Sequence, residues 1–85
     1  MLYYLIVCRS LTHAQRTAAA LERAGVTAHT LRSPKSISSE GCGYCVRVAT
    51  RALNEALSAL HRAGLEPKRI FSAQSDGTYE EVRLI

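Results

Sequence analysis

Three cysteines are the residues of this chain best suited to carry out a chemical reaction. Cys42 lies between Gly41 and Gly43, Cys45 follows three positions later, and Cys8 stands alone near the amino end. A thiol is a nucleophile as its thiolate, and its pKa falls beside cationic groups or at the start of a helix. Glycine on both sides leaves a sulfur accessible and the backbone unconstrained. Cys42 is therefore the predicted reactive residue, with both glycines in the site.

The segment around Cys42 is rich in small, polar and turn-forming residues from position 32 to position 43. A connection of this length in a small domain is often functional. Arg9 and Lys35 flank the predicted site, and we predict that they stabilise an anionic sulfur on Cys42. Cys45 is predicted to resolve or release the product, so the predicted catalytic residues are Cys42 and Cys45.

The spacing of Cys42 and Cys45 also makes a Cys-x-x-Cys motif, which is typical of redox dithiols and of half-sites for zinc. A redox dithiol usually lies at the start of a helix, whereas Cys45 enters a predicted strand. A structural zinc ion needs about four ligands, which Cys8, His13 and the two other cysteines could supply. No second motif with ligand spacing accompanies the pair. A redox or zinc-binding module is therefore the alternative, and no cofactor or metal is predicted.

Composition indicates a globular protein with one core. Apolar residues make up 47% of the 85 positions and charged residues 21%, so the sequence predicts a single domain over residues 1–85. The net charge of +4 suits an anionic partner, although the basic residues are scattered along the chain. There is no Ser-His-Asp order and no phosphate-binding glycine loop, which argues against hydrolase chemistry.

The apolar opening segment, residues 2–8, is too short to span a bilayer and has no basic segment before it. It also lacks a cleavage site of small residues. We therefore predict a cytoplasmic protein with no membrane partner. In a reducing compartment three cysteines are expected to remain thiols and not to form a disulfide framework.

A duplication organises the chain. The segment Ala20-Leu21-Glu22-Arg23-Ala24-Gly25-Val26 recurs 39 positions later as Ala59-Leu60-His61-Arg62-Ala63-Gly64-Leu65. Such self-similarity indicates two copies of one supersecondary unit. The flanking apolar patterns make that unit strand, helix, strand. The predicted elements are strands at 2–8, 26–32, 44–48, 68–73 and 78–85, and helices that start at Ser10 or Thr12 and at Thr50 and end at Gly25 and Gly64.

Two such units predict an α+β, ferredoxin-like βαββαβ fold with an extra strand at the carboxyl end. The antiparallel sheet would have the order 4-1-3-2, with both helices on one face. In the third strand, Tyr44, Val46 and Val48 would face the helices and leave Cys45 on the open face. The first and third strands would be neighbours, which brings Cys8 and Cys42 to one edge.

The residues of this connection carry a resemblance. Pro34-Lys35-Ser36-Ile37-Ser38 precedes Cys42-Gly43, after an opening Tyr3-Tyr4-Leu5-Ile6 strand and a helix that ends Ala24-Gly25-Val26. Over roughly residues 3 to 72 the chain resembles the small bacterial family described as selenium/sulfur carrier protein-like. That resemblance implies that Cys42 carries the chalcogen as a persulfide or selenopersulfide. Lys35 stands where the family usually has arginine, and Gly41 is an addition to the family pattern.

The first functional hypothesis is therefore a carrier, a protein substrate more than an enzyme. Cys42 would accept sulfur or selenium from a donor such as a cysteine desulfurase and pass it to an acceptor enzyme. A homodimer could form through an exposed sheet face or the terminal strand. A further alternative is an RNA-binding or ligand-binding regulatory module, which would use Tyr3 or Tyr4 with Tyr44 on the sheet. Nucleic acid is not favoured, because the third strand lacks the usual basic and aromatic run.

Overall fold

The computed structural model describes residues 2–37, 43–67 and 69–82. These residues form five strands and two α-helices, and a short 3-10 turn at Thr50–Ala52 precedes the second helix. The elements are β1 (Tyr3–Cys8), α1 (Leu11–Arg23), β2 (His29–Arg32), β3 (Tyr44–Ala49), α2 (Leu53–Arg62), β4 (Ile70–Ala73) and β5 (Tyr79–Val82). The chain is thus an α+β protein, as predicted.

All strand pairs are antiparallel, and the sheet has the order β2-β3-β1-β4-β5. The predicted neighbours of the first four strands are present, and β5 extends the sheet beyond β4. β1 lies at the centre, where Ile6 is opposite Val46 of β3 and Ile70 of β4. The carboxyl end of β1 therefore lies beside the start of β3.

The duplicated segments form the same local structure twice. Gly25 and Gly64 have φ angles of 84° and 71°, which a residue without a Cβ adopts at little cost. In each copy the N–H of the residue after the glycine donates to the carbonyl of the leucine five positions earlier, at 2.9 Å. This pattern is the Schellman motif that closes a helix. The predicted helix ends at Gly25 and Gly64 are confirmed.

The start of the first helix matches one of its two predicted caps, and the start of the second helix differs from the prediction. The Ser10 hydroxyl accepts a hydrogen bond from the backbone N–H of His13 at 3.1 Å, so Ser10 and not Thr12 caps α1. Thr50 begins the 3-10 turn, and regular α-helix follows from Leu53. Neither helix of the described residues is long and apolar enough to cross a lipid bilayer.

Several strands begin later than the apolar pattern predicts, whereas β3 runs one residue further, to Ala49. β2 begins at His29 and not at Val26, because Val26 is still engaged in the Schellman bond that closes α1. Val26 is nevertheless buried in the core. β4 begins at Ile70, and the fifth strand is present as β5.

The larger core lies between the sheet and the two helices. Every second residue of β1 and β3 points into it, and the helices contribute the small and branched side chains that face the sheet. Its fully buried members include Ile6, Val46, Val48, Ile70, Ala14, Leu21, Ala56 and Leu60. α1 packs against β1, β2 and β3, so it covers one half of the sheet.

A smaller core lies on the opposite face. Leu5, Cys45 and Phe71 are buried there without a helix of the described residues over them, and Ile37 from the β2–β3 connection belongs to the same cluster. The predicted orientation of Val46 toward the helices is confirmed. The second face of β3 is not open at Cys45, which is fully buried in this smaller core.

Candidate functional site

The predicted site belongs to the sheet edge where β1 and β2 end and β3 begins. Arg32, Tyr44 and Cys8 form one row across β2, β3 and β1 at this edge. Just beyond the row, the backbone N–H of Ser33 donates to the carbonyl of Gly43 at 3.0 Å. This bond holds together the two points at which the connection leaves and re-enters the sheet.

The central residues of the connection lie outside the described residues. Gly41 and Cys42 are among them, so their roles remain predictions. Gly43, the first described residue after them, is half-buried.

The two predicted anion-binding cations both lie at this edge. Arg9 follows the last residue of β1 directly and is exposed. Lys35 is exposed in a turn that the Ile37 N–H closes by donating to the Pro34 carbonyl at 3.1 Å. Burial, then the charges of Arg9 and Arg16, lower the pKa of His13. The charges of Arg9 and Arg16 therefore act on the first turn of α1, directly after β1.

Cys45 is fully buried in the smaller core, in the same cluster as Ile37. Its Sγ lies 2.9 Å from the Ser33 hydroxyl, and the two can share a hydrogen bond. Burial raises the pKa of the Cys45 thiol, and the bond to Ser33 opposes part of that rise. Cys45 is therefore a protonated thiol shielded from solvent.

Cys8 is buried on the opposite face, in the larger core. Its Sγ lies 3.7 Å from the Ile6 carbonyl oxygen and 3.9 Å from the Thr17 hydroxyl. Burial raises the pKa of Cys8 to about 11, although the contact with Thr17 opposes the rise. Cys8 behaves as a small apolar core residue and not as a nucleophile.

This arrangement removes one of the ligands predicted for the zinc site. Val7, and not Cys8, stands opposite Cys45 in the β1–β3 pair, so Cys8 and Cys45 point to opposite faces of the sheet. One ion cannot bind both. No group of three histidine, cysteine or acidic side chains that could hold a metal occurs within residues 2–37, 43–67 and 69–82.

The aromatic platform of the RNA-binding alternative does not form. Tyr4 and Tyr44 pack against the larger core under the helices, whereas Tyr3 lies on the other face. The guanidinium carbon of Arg32 lies 5.8 Å from the centre of the Tyr44 ring. The aromatic residues predicted to stack bases are thus divided between two faces.

Residues 3–72 match the protein family described as "Putative Se/S carrier protein-like". The chain belongs to this family. No curated protein and no solved structure is similar enough to match. The family match runs from β1 into β4 and includes the β2–β3 connection, so the resemblance predicted from that connection is confirmed.

In this member of the family, two residues of the site were missed by sequence reasoning. Ser33 contacts the Cys45 thiol, and Ile37 is buried in the same cluster as Cys45. The available indication was Ile37 itself, an apolar side chain within an otherwise polar connection. An isolated apolar residue of this kind often anchors a loop to the surface beneath it.

Proposed function

We propose that this chain is a sulfur or selenium carrier and that Cys42 is its carrying residue. The observation on which the proposal rests is the family match over residues 3–72, which includes Cys42. The chain has three cysteines, and two of them, Cys8 and Cys45, are buried with raised thiol pKa values. Cys42 is the remaining candidate for a reactive thiol.

The transfer needs no oxidant. The Cys42 thiolate attacks the outer sulfur of a persulfide on the donor, such as a cysteine desulfurase. The sulfur–sulfur bond of the donor breaks while a new one forms on Cys42, and the donor thiolate takes up the proton that Cys42 lost. An acceptor enzyme then removes the outer atom and regenerates the Cys42 thiolate. Selenium follows the same route as a selenopersulfide.

The described neighbours support such a role. Arg9 and Lys35 place two exposed positive charges at the edge of the sheet where β1 and β2 end. Positive charge lowers the pKa of a nearby thiol and stabilises the anionic persulfide that replaces it. In this proposal Gly41 and Gly43 keep the sulfur accessible, and Cys45 is the second thiol that resolves or releases it.

Intact mass spectrometry after incubation with a cysteine desulfurase and cysteine tests the proposal. We expect the wild-type chain to gain the mass of a sulfur atom and Cys42→Ser to gain none. Cys8→Ala and Cys45→Ala are matched controls and should keep the adduct. An adduct that persists in Cys42→Ser, or a disulfide between Cys42 and Cys45 with no adduct, would contradict the proposal. Sulfur and selenium donors in competition then identify the cargo.

A further inference from the structure

We propose that the start of α1 and the end of β2 form a docking surface for an acidic face of the donor, a cysteine desulfurase. This surface, the docking corner, consists of Arg9, Leu11, Arg16, Arg32 and Lys35. The inference rests on the proposed carrier function and adds to it the partner class and the surface that receives it.

The two segments of the docking corner meet at one edge of the sheet. Arg32, the last residue of β2, is opposite Tyr44, which is opposite Cys8 at the end of β1. Arg9 and Leu11 follow Cys8 directly, and α1 packs over β1, β2 and β3. A donor that contacts both segments therefore reaches the place where the chain re-enters the sheet at Gly43.

The charge of the docking corner is not neutralised within the described residues. The ion pairs among the described residues join His61 to Glu66 and Arg69 to Glu81. Neither pair involves a cation of the docking corner. All four of its cations are exposed, and the first turn of α1 has no acidic residue. A surface of one sign attracts a partner of the opposite sign and speeds its approach.

Leu11 indicates that the partner is a protein. Leu11 is 42% exposed. Among the described residues, the other large apolar residue that is this exposed is Leu2, at the other end of β1. An apolar anchor with charged residues around it is the usual composition of a protein interface. Single-stranded nucleic acid would need exposed ring faces, and Tyr44, the aromatic residue of this edge, packs against the core.

Loading rates with two donors test the docking corner. One donor is a cysteine desulfurase of net negative charge, and the other is inorganic polysulfide, which transfers a sulfur atom without docking and leaves as a shorter polysulfide. The variants are Arg16→Glu and Leu11→Ser, neither of which has a role in the sulfur chemistry. Their matched controls are Arg51→Glu and Leu2→Ser, which make the same changes at exposed positions away from the corner.

We expect Arg16→Glu and Leu11→Ser each to slow loading by the desulfurase about 3- to 10-fold and to leave loading by polysulfide unchanged. The control variants should load at the wild-type rate with both donors. Added salt should slow desulfurase loading of the wild-type chain and reduce the difference between Arg16→Glu and wild type.

The other outcomes separate the two proposals. Two results would overturn the docking corner and leave the carrier function standing. In one, polysulfide loads the wild-type chain and the desulfurase does not. In the other, the desulfurase loads the test variants and the control variants at equal rates. If neither donor loads the wild-type chain, the carrier function itself is refuted. Binding of single-stranded RNA that Arg16→Glu abolishes, with unchanged desulfurase loading, would assign the surface to nucleic acid and overturn the proposal.

Discussion

The two faces of the sheet bury their cysteines in different ways. On one face, two helices cover Cys8 and the residues around it. On the other face, Cys45 is as deeply buried as Cys8, in a smaller cluster to which a connection between strands contributes Ile37. Both thiols have raised pKa values for the same reason, which is loss of solvent.

The two thiols therefore differ in the free energy needed to expose them and not in how deeply they are buried. Exposing Cys8 requires that α1 leave the sheet, which amounts to unfolding. The smaller core contains no helix of the described residues, and Ile37 joins it from a connection between strands. Local opening of a connection costs less free energy than global unfolding, so we expect Cys45 to become exposed more readily than Cys8.

The largest expected effect belongs to the helix-covered face. Leu60→Ala should lower the free energy of unfolding by about 2–5 kcal/mol, because it leaves a cavity in the larger core where Leu60 is fully buried. Denaturant titration measures the loss. Leu57→Ala, at a half-buried position of the same helix, should cost less, and an equal or larger loss there would contradict this description of the core.

Alkaline pH should destabilise the protein through Cys8. Burial raises the pKa of Cys8 from 9.0 to about 11, so the stabilising contribution is complete below pH 9 and is lost as the pH approaches 11. A shift of this size corresponds to about 2–3 kcal/mol. Unfolding free energies measured across that range should fall more steeply for wild type than for Cys8→Ala. Parallel curves would remove Cys8 as the cause.

Shortening the Ile37 side chain in the smaller core should lower the stability less and should change the reactivity of Cys45 more. Ile37→Ala in a Cys42→Ser background should lower the free energy of unfolding by about 1–2 kcal/mol. Alkylation of Cys45 should accelerate on the order of tenfold, because the turn opens more often. Ile37→Val serves as the conservative control and should change both quantities little. An unchanged alkylation rate in Ile37→Ala would show that another group shields Cys45.

The smallest effect is expected from the hydroxyl beside Cys45. Ser33→Ala removes a hydrogen bond that lowers the pKa of the thiol, so that pKa should rise further. The unfolding free energy should fall by about 0.5–1 kcal/mol. The pH profile of Cys45 alkylation in the Cys42→Ser background measures the shift, and Ser33→Thr should preserve the wild-type profile. A profile displaced toward lower pH in Ser33→Ala would reverse the assigned role.

The features that sequence could predict are those determined within a few residues. Gly25 and Gly64 end helices because the left-handed conformation there favours glycine. Asp76 and Gly77 form the tight turn that an Asp-Gly pair favours, in which the Asp76 carboxylate accepts from the Thr78 N–H at 3.0 Å. Each of these is a contact between near neighbours, so the local pattern contains it.

The features that sequence could not predict are contacts between distant segments. Alternation in β3 indicates that Val46 and Cys45 face opposite ways, but it does not say what covers the second face. Ile37 reaches Leu5 and Phe71, which are far away in the chain. Only the path of the connection brings them together. For the same reason the burial of Cys45 was missed, and Arg9 could be placed at the site only through the order of strands.

The duplication has a consequence for how this protein could have evolved. An offset of 39 places Ile6 over Cys45 and Val7 over Val46, and in the β1–β3 pair Ile6 faces Val46 while Val7 faces Cys45. The offset thus converts one cross-strand pair into the other, so the centre of the sheet has an approximate twofold axis. Such an axis is expected when a unit that once paired with a second copy of itself becomes fused to that copy. The segment with Cys42 is then the fusion joint, free to diversify while both ancestral halves keep their cores.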